Sequence, residues 1–110
     1  MEESTPMTSS MIYITTSSRD EALRIGRAVV ADRLAACANV LPGITSVYRW
    51  QGEIQEDGES SLILKTRSDL VARLTARVKE LHSYDCPCVV ALPITAGNPD
   101  FLQWIAEETR

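Results

Sequence analysis

The residues able to do chemistry are few in this chain, and they cluster. The single histidine, His82, opens the run His82-Ser-Tyr-Asp-Cys-Pro-Cys88, which also holds Cys86 and Cys88. One imidazole and two thiols form a soft-to-borderline donor set, better suited to copper(I) or zinc(II) than to magnesium or calcium. His82 and Cys86 stand four apart, one helical turn if a helix reaches that far. Cys86 and Cys88 would share one side of a strand with Cα atoms about 6.5 Å apart, and a bulge at Pro87 would narrow that gap. The set is one donor short of a closed tetrahedral zinc site. Asp85, water or another subunit would have to supply the rest. A plainer reading stays open, with both cysteines as small apolar fillers and His82 as an exposed residue favoured by a helix C-terminus.

A second constellation joins Tyr48, Arg49, Trp50, Lys65 and Tyr84, with Asp85 beside it. It takes three of the six aromatic residues in the chain, which fits a binding surface. Lys65 stands mid-strand between Leu64 and Thr66, where a cation needs a carboxylate, a carbonyl or a ligand. The group reads either as a ligand cleft or as subunit packing, with Lys65 and Arg49 in ion pairs across an interface. Cys37, at a helix-to-strand junction, reads as a buried structural thiol. Catalysis finds little support. One histidine leaves one candidate general base, no recognisable motif ties a Ser or Cys to it, and the five glycines are too scattered to cradle a phosphate.

The elements that must position these residues follow from pattern. Met11–Thr16 is β-branched and aromatic, a first strand with Ile12 and Ile14 on one face. Ser18-Arg-Asp-Glu21 fits a capping box. Ala22, Ile25, Gly26, Val29 and Val30 then form the apolar stripe of a helix over about 19–35. Cys37–Leu41 is extended, Pro42-Gly43 predicts a bulge, and Ile44–Trp50 alternates strictly. Gln51-Gly52 and Asp57-Gly58 are both turn signals, and the chain returns through Ser60–Thr66. The hairpin is longer than a domain of this size needs. Ser68 is placed to cap a second helix, with Val71, Leu74, Val78 and Leu81 as its stripe. Pro87–Thr95 is an edge or bulged strand, with Cys88, Val90, Leu92 and Ile94 on one face. Asn98-Pro99-Asp100 opens a last helix packed down by Phe101, Leu102 and Ile105.

The order β-α-β-β-α-β-α predicts an α+β fold, the ferredoxin-like β-α-β-β-α-β sandwich with an extra C-terminal helix. Several strands are apolar on both parities, and one helix layer covers only one face of a sheet. A second copy of the chain is the economical cover, which predicts a homo-oligomer.

Length and composition set the outer bounds. The chain has 110 residues, 45% hydrophobic and 24% charged, with a formal charge of −4. That is one domain's worth, expected over 11–110 behind a disordered tail at 1–10. No basic cluster exists to attract nucleic acid or an anionic membrane, and no apolar run approaches the roughly 20 residues of a membrane span. Three cysteines, and an N-terminus with neither basic start nor apolar centre, predict a reduced, cytoplasmic protein without a disulfide framework.

Leu34-Ala-Ala-Cys-Ala-Asn-Val-Leu-Pro-Gly-Ile-Thr-Ser-Val-Tyr-Arg-Trp50 resembles the signature block of the CutA divalent-cation tolerance proteins. Leu62–Thr66, Ala91–Ile94 and Trp104-Ile105 are similar to their later segments, so the likeness covers about 11–106. The resemblance implies a ferredoxin-like fold, a tight homotrimer with strands shared between subunits, no established enzymatic activity and a link with copper or other divalent metals. It also places Tyr48, Trp50, Lys65 and Tyr84 near clefts between subunits. The chain departs from the pattern at 82–88. Ser83 stands where the family has Pro, and Cys88 stands where it has Glu. A cysteine that serves as a proposed metal ligand in some members falls at Ile14, so that role does not transfer. The sequence therefore predicts a metal-binding protein with His82, Cys86 and Cys88 as metal ligands. Its rival is a signalling or scaffold module similar to the PII proteins, with a ligand in its clefts or a partner protein at a loop near Gln55–Glu59.

Overall fold

A computed structural model describes residues 8–110. The strands are β1 (Ser9–Thr16), β2 (Cys37–Trp50), β3 (Glu53–Arg67) and β4 (Val89–Ile94). The helices are α1 (Arg19–Ala31), α2 (Val71–Leu81) and α3 (Pro99–Glu108), and a single 3-10 turn at Ser68–Leu70 leads into α2. The strands form one antiparallel sheet in the order β2-β3-β1-β4, which is the predicted split β-α-β arrangement. The expected tail at 1–10 falls largely outside the described residues, but Ser9 and Ser10 are buried within β1.

Cross-strand partners share a face of the sheet. Ile12 sits opposite Leu64 and Ala91, and Ile14 opposite Leu62 and Val89. On this face Ala22, Ile25 and Val29 of α1 and Leu74 and Val78 of α2 close the core. The opposite face carries Met11, Tyr13, Ile63 and Lys65, continued on β4 by Val90 and Leu92. Val90 and Leu92 are about half exposed.

Helix ends correct several expectations. α1 stops at Ala31, not near 35. Arg33 adopts a left-handed φ of 62°, and the N–H groups of Arg33 and Leu34 return to the carbonyls of Val30 and Val29. That is a Schellman closure with Arg in the position usually given to Gly, and burial of Leu34 beyond it pins the turn. Val30, in the last turn of α1, is exposed rather than in the core. Ser68 does not cap α2, because its hydroxyl bonds that of Ser10 at 2.8 Å. Asn98 does cap α3, accepting from the Asp100 N–H at 3.0 Å. In that helix only Ile105 is fully buried, while Phe101 is exposed and lies beside Trp104 at a ring distance of 5.4 Å.

The hairpin departs furthest from expectation. The bulge at Pro42-Gly43 is present as a register shift between Leu41 and Ile44, with Gly43 at φ 80°. Gln51 and Gly52, both at positive φ, make the tight turn. Asp57-Gly58 is not a second turn, and Gln55–Glu59 is not a loop. Both lie within β3, paired across to β2, where Thr45 faces Gly58 and Ser46 faces Asp57. A turn-forming dipeptide yields here to a continuous cross-strand ladder. Pairing between β1 and β3 ends at Thr16 and Ser60, so residues 44–59 run on as a two-stranded ribbon. The radius of gyration is accordingly 15.3 Å, against about 13 Å for a compact domain of this length.

Gly26 shows how closely α1 approaches β2. A Cβ at this position would lie 3.0 Å from the Cβ of Ala38 and 3.4 Å from Leu62 Cδ1. Ala38 Cβ is fixed to a strand and cannot swing away, so Gly26→Ala should destabilise by about 1 kcal/mol or more despite its better helix propensity. Adding Ala38→Gly should recover much of that loss. Urea unfolding of both variants measures this, and an unchanged or raised midpoint for Gly26→Ala alone would contradict the close contact.

Candidate functional site

The segment 82–88 is irregular and runs from the end of α2 to the start of β4. Two buried side chains fix its start. His82 caps α2, and its side chain is wholly buried. The Tyr84 N–H donates to His82 Nδ1 at 3.1 Å, so the ring proton lies on Nε2 and is given to the Thr15 carbonyl at 2.8 Å. Both ring nitrogens are used. The centres of the His82 and Tyr84 rings lie 4.7 Å apart, with their planes tilted by 49°.

Glu21 is the second anchor. Ser18 Oγ accepts from the Glu21 N–H at 3.1 Å, as the capping box requires. The reciprocal bond falls on Ser17, the residue before the cap, rather than on the Ser18 N–H. The Glu21 carboxylate accepts from the N–H and hydroxyl of Ser17, both at 2.9 Å, and from the Ser83 N–H at 2.8 Å. Burial alone would raise the pKa of this carboxyl. The bonds from Ser17 and Ser83 outweigh it and hold the group down at about 2. Glu21 thus ties the start of α1 to the 82–88 segment, 62 residues later.

The segment so held forms one wall of a cavity of about 570 Å³. Three aromatic side chains line it, Tyr84 from the segment and Tyr48 and Trp50 from the ribbon. Two carboxylates, Glu59 and Asp85, and two thiols, Cys86 and Cys88, complete its character. Tyr84 Oη donates to Glu59 at 2.7 Å and joins the two walls. Burial, then the hydrogen bond to Glu59 and its charge, push the Tyr84 phenol well above its ordinary range. Tyr48 donates to Asp57, and that bond raises its phenol too.

The predicted site residues separate into three places. Tyr48, Trp50, Tyr84, Cys86 and Cys88 meet at the cavity. His82 faces inward, with its nitrogens on Thr15 and Tyr84; it is neither the exposed helix-end residue nor a free donor beside the thiols. Among the described residues no group of three or more His, Cys, Asp or Glu is placed to hold a metal ion. The two thiols are of the type a soft or borderline cation takes, but neither His82 nor a carboxylate is placed with them as a third donor among the described residues. Lys65 lies elsewhere on the sheet. Its Nζ donates to Asn39 Oδ1 at 2.7 Å and stands 3.9 Å from Cys37 Sγ. Glu59 was not among the expected site residues. Its cross-strand partner Ile44 sets its face, and only the register beyond the bulge reveals it.

The four-stranded antiparallel sheet with α1 and α2 packed over one face defines a small α+β domain. The family model described as CutA1 divalent ion tolerance protein matches residues 10–108, and the chain belongs to that family. The divalent-cation tolerance protein CutA of Thermus thermophilus is 48% identical over 90% of this chain and 96% of its own. The chloroplastic CutA of Arabidopsis thaliana is 44% identical over the full chain, which spans 61% of that longer relative. The crystal structure of CutA1 from Oryza sativa superposes with a TM-score of 0.93 at 44% identity, covering 97% of this chain and 98% of that one. Among the described residues no helix is long and apolar enough to cross a membrane.

Because Glu21 falls from an ordinary 4.5 to about 2 on folding, it contributes stability above pH 4.5 that is lost as the pH drops through 2. The size is about 3 kcal/mol. Glu21→Gln should lower stability at neutral pH and flatten its fall between pH 4.5 and 2. Chemical denaturation across that range tests it, and parallel curves for variant and parent would contradict the clamp.

Proposed function

We propose that this chain works as a homotrimeric divalent-cation tolerance protein that binds a soft or borderline metal, copper foremost, through Cys86 and Cys88. The observation that carries this reading is that both thiols are exposed and line one cavity together with Glu59 and Asp85. Thiolates favour Cu(I) and Zn(II) over hard cations, and water or donors from another subunit complete the coordination, since among the described residues of one chain no third His, Cys, Asp or Glu is placed to do so. His82 acts as a positioning residue that holds the segment in place. The family to which the chain belongs supports metal handling in general; copper itself rests on the donor chemistry.

The trimer is supported by surfaces that one chain leaves open. Val47 and Ile54 are about two-thirds exposed on the ribbon, Trp50 about half. An isolated two-stranded hairpin is marginal in water, and strand edges left bare invite pairing with another copy. Three free thiols fit a reducing compartment, and we assign the cytoplasm on that ground. The relatives are more varied, since the plant protein is described as chloroplastic and one archaeal structure as periplasmic. We read the protein as a binder and not an enzyme, because its only imidazole is buried with both ring nitrogens already hydrogen-bonded.

Titration with Cu(I) and Zn(II) under reducing conditions tests the metal reading. The Cys86→Ser/Cys88→Ser variant should bind at least tenfold more weakly than the parent. The parent's affinity should fall as the pH is lowered, since the thiols must lose protons to bind. Equal, weak binding by parent and variant would remove the thiols as donors.

A further inference from the structure

We propose that His82 is a buried proton switch: on taking up a proton its Nδ1 lets go of the Tyr84 N–H and turns to the Glu21 carboxylate, and the chain at the head of the 83–88 segment changes conformation. The His82 side chain is wholly buried and that of Glu21 nearly so within a single subunit, so neither depends on the surface that another copy would cover.

His82 joins two parts of the fold through two unlike bonds. Its Nε2–H is given to the Thr15 carbonyl of β1 at 2.8 Å, and its Nδ1 accepts the Tyr84 N–H at 3.1 Å. The Glu21 carboxylate of α1 stands beside the second bond. Its Oε2 lies 4.0 Å from Nδ1 and accepts the Ser83 N–H at 2.8 Å. Two successive N–H groups of the segment are thus held by two acceptors of different chemistry. An imidazole is the side chain suited to gaining a proton between about pH 5 and 8. Glu21 stays ionised through that range, because its hydrogen bonds hold its carboxyl at about 2. Further charged or titratable neighbours are Arg24 of α1 and the Tyr84 phenol. Arg24 Nη2 lies 3.7 Å from Glu21 Oε2 and donates to the Leu81 carbonyl at 2.9 Å, and the phenol reaches Glu59 of β3.

A protonated imidazole has two donors and no acceptor. Nδ1–H then meets the Tyr84 N–H donor against donor, and the 3.1 Å bond cannot survive. The Nε2–H bond to Thr15 is kept and gains strength from the charge. A buried imidazolium needs a counter-charge, and the Glu21 carboxylate supplies it once the 4.0 Å gap closes by about 1 Å. The displaced Tyr84 N–H must find another acceptor or water. The backbone at Tyr84 therefore shifts, at the head of the stretch that leads to Cys86 and Cys88.

His82 is the only histidine in the chain, so nitrogen-labelled histidine gives ring signals in an NMR spectrum free of overlap. Metal-free protein labelled at histidine and at the tyrosine amides should be titrated from about pH 8 to 5. The expected start is a proton on Nε2 alone, and the expected end is a proton on both ring nitrogens. The Tyr84 amide signal should move with the same midpoint. Glu21→Gln should lower that midpoint by about one pH unit, since it removes the counter-charge. Arg24→Gln should raise it by roughly a few tenths, since it removes a competing cation. Arg24 is exposed, so this variant keeps the test valid if Glu21→Gln is too unstable. The Cys86→Ser/Cys88→Ser variant should keep both transitions, which separates the switch from thiol titration and from the metal reading. A ring that stays neutral until the protein unfolds in acid, a Tyr84 amide that does not follow the ring, or a midpoint that Arg24→Gln leaves unmoved would overturn the proposal.

Discussion

One constraint governs this molecule: its sheet is apolar or aromatic on both faces, but its two crossover helices cover only one. Ile12, Ile14, Leu62 and Leu64 are sealed by α1 and α2. Val90 and Leu92, on the opposite face, remain about half exposed. The ribbon carries the imbalance further, since residues 44–59 continue past the end of β1 with large apolar side chains on each side. At about 25 cal/mol per Å² of apolar surface, leaving such side chains in water forgoes a substantial part of the available hydrophobic stabilisation. The proposed trimer answers that imbalance, and the aromatic wall of the cavity belongs to the same surplus.

The second determinant is the clamp on the 82–88 segment. A cavity wall made of irregular chain is only as fixed as its anchors. Here the anchors are buried and charge-assisted. Glu21 gathers three hydrogen bonds from Ser17 and Ser83, and His82 spans Thr15 and Tyr84. They hold the ends of β1, α1 and α2 together and set Tyr84 against Glu59. The histidine thereby acts on the cavity through position, while the groups lining the cavity come from its neighbours in sequence and from the ribbon.

Much of this was legible in the sequence, for identifiable reasons. Period located part of every strand and helix, capping chemistry marked the starts of α1 and α3 but not of α2, and the Pro42-Gly43 bulge was signalled by its residues. The misreadings share a cause, because local signals were outvoted by distant partners. Asp57-Gly58 has the composition of a turn, but pairing with Thr45 and Ser46 keeps it extended. Ser68 has the type of a cap, but Ser10 takes its hydroxyl. His82 looked like a free ligand because nothing in sequence reveals the Thr15 carbonyl 67 residues away. Tyr48, Trp50, Tyr84, Cys86 and Cys88 could be grouped by type and by family likeness. Glu59 could join them only once the register beyond the bulge was known.

The uncovered sheet face and ribbon make association the central claim, and the mass in solution tests it most directly. Light scattering on the purified chain should give about 37 kDa, three copies of a 12.2 kDa subunit, at micromolar concentration. A mass near 12 kDa for a folded protein would contradict it, since the exposed apolar ribbon would then be stable in water alone.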